Sequence, residues 1–93
     1  MTFLLKDPEA GLDYAVDWGL QYLELDTLAG SSWSVVPEEA GGVVVLDSGF
    51  TDKVALVHAG GGNPGRIYRL TNHVTTASGL KDSRSILLRV ERR

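Results

Sequence analysis

The fold class this sequence predicts is all-β: an antiparallel sandwich of about seven short strands. Three observations carry it. Apolar and polar residues alternate with period two in most segments, as on a pleated surface with one face buried. Clusters of Gly, Pro, Asn, Asp and Ser interrupt the alternation at short intervals. Helical spacing is sustained nowhere with conviction: leucines between Leu12 and Leu25 fit it, but Gly19, the aromatics and strict alternation from Asp13 to Trp18 oppose it.

Taken in order, Tyr14, Val16 and Trp18 alternate with Asp13, Ala15 and Asp17, which describes a half-buried strand with an acidic outer face. Leu23-Glu24-Leu25 is a short alternating piece. Asp26 leads into a strand over 27–36, with Trp33 and Val35 on one face, and Pro37 ends it because it cannot donate to a ladder. Val43–Leu46, continuous and β-branched, reads as a strand covered on both sides. Asp47-Ser48-Gly49 reads as a turn, and Val54–Ala59 as the next strand.

Gly60-Gly61-Gly62-Asn63-Pro64-Gly65 then breaks the chain. Two closing runs flank a Ser78-Gly79 turn. In the first, Tyr68, Leu70, Asn72 and Val74 point inward, against Arg69, Thr71, His73 and Thr75; in the second, Ile86, Leu88 and Val90 point inward, against Ser85, Leu87, Arg89 and Glu91. Tyr68 follows a turn, where a sandwich tyrosine hydrogen-bonds back across the corner. Asn72 is an amide among apolar residues, so it must find partners and pin a neighbouring segment. The core expected from alternation is Trp18, Trp33, Tyr68, Leu70, Val74, Ile86, Leu88 and Val90.

Composition narrows the function classes. Ninety-three residues support one domain, 1–93, with residues 1–11 readable as an N-terminal arm. There is no Cys and there are only two His, which argues against disulfide staples and a structural zinc site. No apolar run approaches the ~20 residues of a membrane helix, and Phe3-Leu4-Leu5 is too short for a signal-peptide core, so a soluble, unprocessed chain is expected. Residues 1–47 hold nine acids and one base, whereas residues 48–93 hold eight bases and three acids. So large an acidic counterpart argues against nucleic-acid binding.

Each candidate for chemistry has a plainer explanation. The glycine cluster lacks the G-x-x-x-x-G-K-[ST] pattern and a following helix, which leaves a flexible loop. Asp13 and Asp17 share a strand face about 13 Å apart, too far to hold one metal ion or flank a glycosidic bond. His58 and His73 stand isolated, with no nucleophile motif beside them. Trp18, Trp33 and Tyr14 could form a sugar platform, but a thin sandwich needs such rings inside. No catalytic, metal or cofactor residue is assigned.

Lys6-Asp7-Pro8, Leu12-Asp13-Tyr14, Asp17-Trp18, Asp26-Thr27 and Ser32-Trp33 carry a resemblance, together with Tyr68-x-Leu70-Thr71-Asn72-x-Val74-Thr75-Thr76, Gly79 and Asp82-Ser83-Arg84-Ser85-Ile86. Through them the sequence resembles the phage fibre–tail adaptors, small structural proteins of tailed phages and prophages. The resemblance implies an immunoglobulin-like sandwich, a place in the virion tail or neck after assembly in the host cytoplasm, and no enzymatic activity or cofactor. It also implies other phage structural proteins as partners and several copies in a ring-like assembly, with no nucleic acid or membrane bound. The alternatives are a stopper-type head–tail completion protein and a carbohydrate- or receptor-binding β module.

The expected contact surface joins the outer face of the last hairpin to the N-terminal arm. It comprises Phe3, Leu4 and Leu5, with an exposed Leu87 among Arg69, Arg84 and Arg89. Asp13, Asp17, Glu24 and Asp26 are the expected complement on a neighbouring copy or partner.

Overall fold

The computed structural model describes residues 2–19 and 26–92, which contain seven strands in two sheets and no helix. The strands are β1 (Thr2–Lys6), β2 (Leu12–Asp17), β3 (Leu28–Val36), β4 (Val44–Phe50), β5 (Val54–Gly60), β6 (Ile67–Thr76) and β7 (Lys81–Val90). One sheet has the order β1-β7-β6-β3 and the other β2-β5-β4. All pairings are antiparallel except β1 with β7, which is parallel.

That parallel pair corrects the expected arm. Residues 2–6 form an edge strand, with Phe3 beside Leu87 and Leu5 beside Arg89. The sequence hides this because parallel partners lie at opposite ends of the chain, with no turn to announce the pairing. The Leu23-Glu24-Leu25 strand lies outside the described residues.

Between the sheets the core has two lobes. Val43, Val57, Ala59, Tyr68, Leu70, Ile86, Leu88 and Val90 fill one, and Val16, Trp18, Leu28, Ala55 and Val74 the other. Tyr14 and Trp33 pack against both. Of the expected core, only Trp33 keeps partial exposure. Each fully buried aliphatic side chain contributes about 1.5–3 kcal/mol relative to exposure.

Two readings around β4 change. Val44 and Leu46 are 49% and 59% exposed, not covered on both sides, because in two packed sheets each sheet has only one face on the core. Asp47-Ser48-Gly49 is not a turn: β4 continues to Phe50, and a bulge between Val45 and Asp47 shifts the register. Turn-forming residues are tolerated in β4 because it is an edge strand, where one backbone side goes unpaired. The reversal comes later, where Thr51 N donates to Val54 O at 2.8 Å.

The glycine cluster is packed against its neighbours and is not a loose loop. Gly61 has φ +75° and a Cβ there would lie 2.5 Å from Gly42 O; at Gly62, φ +113°, it would lie 2.6 Å from Val90 Cγ2. Only glycine satisfies both the dihedral and the space. Lys6, 3% exposed at the end of β1, donates from Nζ to Gly61 O at 2.6 Å and to Asp7 O at 2.9 Å. Burial pulls the Lys6 ammonium below its usual pKa, against the raising influence of Asp7.

Candidate interaction faces

Strand parity sorts the expected contact residues. Across the four-stranded sheet, Phe3, Leu87, Arg69 and Val36 stand in one row, and Leu5, Arg89 and Ile67 in the next. All point away from the core. Phe3, Leu5, Ile67 and Val36 are 49%, 48%, 50% and 62% exposed, so the rows carry four open apolar side chains around Arg69 and Arg89. Among the described residues Arg69 has no hydrogen-bond or ion-pair partner, whereas Arg89 Nε is 2.8 Å from Glu91 Oε1. Single exposed apolar residues need no explanation, and these are clustered at one end of the sheet.

Two expected members do not belong there, and a third is on the face but less open than expected. Leu4 points inward and packs on the core. Arg84 shares the inward parity of Ile86 and Leu88, and its guanidinium lies 4.7 Å from the Trp18 ring centroid. Leu87 is half-buried rather than exposed, because β1 lies alongside it. Val36 and Ile67 were missed: Pro37 and the preceding loop made each look like the end of a run, although Ile67 has the parity of Arg69.

The acids separate as well. Asp13 and Asp17 lie on the outer face of the three-stranded sheet, and Asp47 joins them opposite His58. Neither Lys nor Arg occurs in β2, β4 or β5. A shallow depression of about 460 Å³ opens on this face, lined in part by Asp13, Ala15, Asp47, Gly49, Leu56 and His58. His58 is not isolated, since its Nδ1 is 2.5 Å from Asp13 Oδ1. Nor is His73, whose Nε2 is 3.0 Å from Ser34 Oγ. Among the described residues no carboxylate completes that pair into a nucleophilic triad.

Asp26 braces a turn of the fold. It accepts from Thr27 N, Ser78 N and Ser78 Oγ, holding the β6–β7 turn. The Ser78 hydroxyl foremost, then Thr76, keeps its carboxyl below the usual range. Glu24 lies outside the described residues. Glu39, which no sequence pattern singled out, braces the opposite end: it accepts from Arg66 Nη2 at 2.7 Å, Tyr68 OH at 2.5 Å and Asn63 Nδ2 at 3.1 Å. These bonds, led by Arg66, hold its carboxyl at a pKa of about 2. Tyr68 OH also accepts from Asn63 N at 3.0 Å, which is the bond back across the corner expected of it.

Four of the residues that carried the family resemblance, Trp18, Ser32, Asn72 and Arg84, meet at one place between the sheets. Trp18 Nε1 donates to Asn72 Oδ1 at 2.9 Å, Asn72 Nδ2 donates to Ser31 Oγ and Ser32 O, and Arg84 covers Trp18. That part of the motifs latches the two sheets together. No curated protein matches the chain. The sequence model of one family, described as podophage GP4 fiber-tail adaptor protein gp77, matches residues 6–89. With part of its motifs in the latch and most of its length matched, the chain belongs to this Gp77 family of phage fiber-tail adaptors.

Proposed function

We propose that this protein is a non-enzymatic structural adaptor that joins tail or neck components of the virion, is present in several copies, and docks through the outer face of its four-stranded sheet. The observation that carries the reading is the set of open apolar side chains, Phe3, Leu5, Val36 and Ile67, around an unpaired Arg69, on a chain of the fiber-tail adaptor family. An arginine ringed by apolar contacts is the composition of a protein–protein hot spot, not of a catalytic cleft. The partners are other phage structural proteins, further copies of this chain at that face among them, and assembly takes place in the host cytoplasm.

The fold reading goes with it. Strand order β2-β5-β4 facing β3-β6-β7 corresponds to the B-E-D and C-F-G order of an immunoglobulin-like sandwich, with the first strand added beside the last. Against a carbohydrate-binding module stands the placement of the aromatics: Trp18 is fully buried, and Trp33 and Tyr14 pack on the core.

The test is deletion of the gene from the phage. Negative-stain microscopy should show tails or necks that lack an attached component, restored when the wild-type chain is supplied. Complete, infectious particles without it would refute the reading.

A further inference from the structure

We infer that copies of this chain meet head to tail, the outer face of the four-stranded sheet in one copy seating on the outer face of the three-stranded sheet in the next. This deepens the adaptor reading and rests on it only for several copies sharing one particle.

Shape and charge on the two faces are complementary. One end of the first face carries long side chains, with Arg69 between Leu87 and Val36 in one row, while Ser32, Ser34, Thr71, Ser83 and Ser85 make the other end small and polar. No acidic residue occupies an outward strand position there. In the second, Leu56 stands between Ala15 and Gly49, whose small side chains leave the depression of about 460 Å³. Asp13 and Asp47 flank His58 along its margin. A guanidinium carried on an apolar ridge fits an acidic hollow floored by leucine.

The same arrangement decides against symmetric pairing. Two copies meeting through their first faces would bring the bases Arg69 and Arg89 together with no acid at an outward strand position to pair them. Through their second faces they would bring together Asp13, Asp17 and Asp47, with no Lys or Arg in the strands of that sheet. Like charges at an interface select against both. Unlike faces on opposite sides of one sandwich give a contact that each added copy repeats, closing into a ring or running on as a filament. Four strands about 4.8 Å apart and up to ten residues long outline roughly 600 Å², less than the ~800 Å² per partner of a standard interface. A single contact is therefore weak, and closure of the assembly reinforces it.

Sedimentation velocity on the purified chain, up to about 1 mM at low salt, tests this. Wild type should associate with concentration, and less so as salt rises. Arg69→Asp and Leu56→Asp should each sediment as monomers with unchanged melting temperatures. Their equimolar mixture should form a dimer and nothing larger, since each variant keeps the face the other has lost. Arg69→Gln and Leu56→Ser, milder changes, should repeat the pattern with smaller amplitude. A monomeric wild type at 1 mM, self-association by either Asp variant, or a mixture that stays monomeric would each overturn the inference. Mass spectrometry of purified particles separates the two readings. A monomeric chain found in particles sinks only the head-to-tail contact, and a self-associating chain absent from them sinks only the adaptor role.

Discussion

Trp18 and Asn72 join the two sheets through one buried hydrogen bond, indole Nε1 to amide Oδ1 at 2.9 Å, and both side chains are fully inaccessible. The other tryptophan is its opposite: among the described residues, buried Trp33 Nε1 has no hydrogen-bond partner. Replacing each by Phe removes the same atoms from different situations. Trp18→Phe leaves Asn72 Oδ1 without its indole donor, whereas Trp33→Phe removes an unsatisfied one. Trp18→Phe should therefore cost about 1–3 kcal/mol more in urea unfolding. Equal costs would mean that the bond contributes nothing.

Neighbours in β7 provide a second contrast. Leu88 is fully buried and faces the core; Leu87 faces outward and is half-covered by β1. Leu88→Ala should lose about 2–5 kcal/mol, and Leu87→Ala less than about 1.5 kcal/mol. A reversed order in chemical denaturation would shift the strand by one residue.

Acid should weaken the fold through Glu39. Its native pKa of about 2 lies below the ordinary 4.5, so the stabilisation is complete above the ordinary value and is lost as pH falls through the native one. Asp26, also depressed, acts in the same direction. Thermal melts should show wild-type stability falling between about pH 4.5 and 2, and Glu39→Gln should flatten that fall. Parallel curves for the two proteins would exclude Glu39 as a source of the slope.

The two arginines of the closing hairpin should part company. Arg84→Ala removes a cation–π contact with Trp18 and should lower stability by about 0.5–1 kcal/mol, leaving assembly intact. Arg69→Asp should leave stability within about 0.5 kcal/mol and abolish assembly. The combined readout of melting and particle incorporation checks both.

How far the sequence could be read follows from where its signals lie. Both closing strands, the buried Asn72 and the Tyr68 corner were legible because alternation fixes parity and a buried amide demands partners. Arg84 was legible by the same parity, yet its charge drew it to the wrong face. Long-range facts left no local trace: β1 pairs with β7 across almost the whole chain, and Glu39 reaches Arg66 and Tyr68 from a loop. The linear charge asymmetry survives folding in part, because β2 and β4 share one sheet while the basic closing strands share the other.

Removing residues 1–5 would strip an edge strand, so point changes in exposed side chains test the docking face most directly. The measurement is the abundance of the Phe3→Asp/Ile67→Asp chain in purified particles, by quantitative mass spectrometry beside wild type. Both side chains are about half exposed and on the outer face, so the variant should fold with a melting temperature close to wild type. If that face attaches the adaptor to the virion, the variant falls to background while wild type is retained. A folded variant present at wild-type abundance contradicts the account.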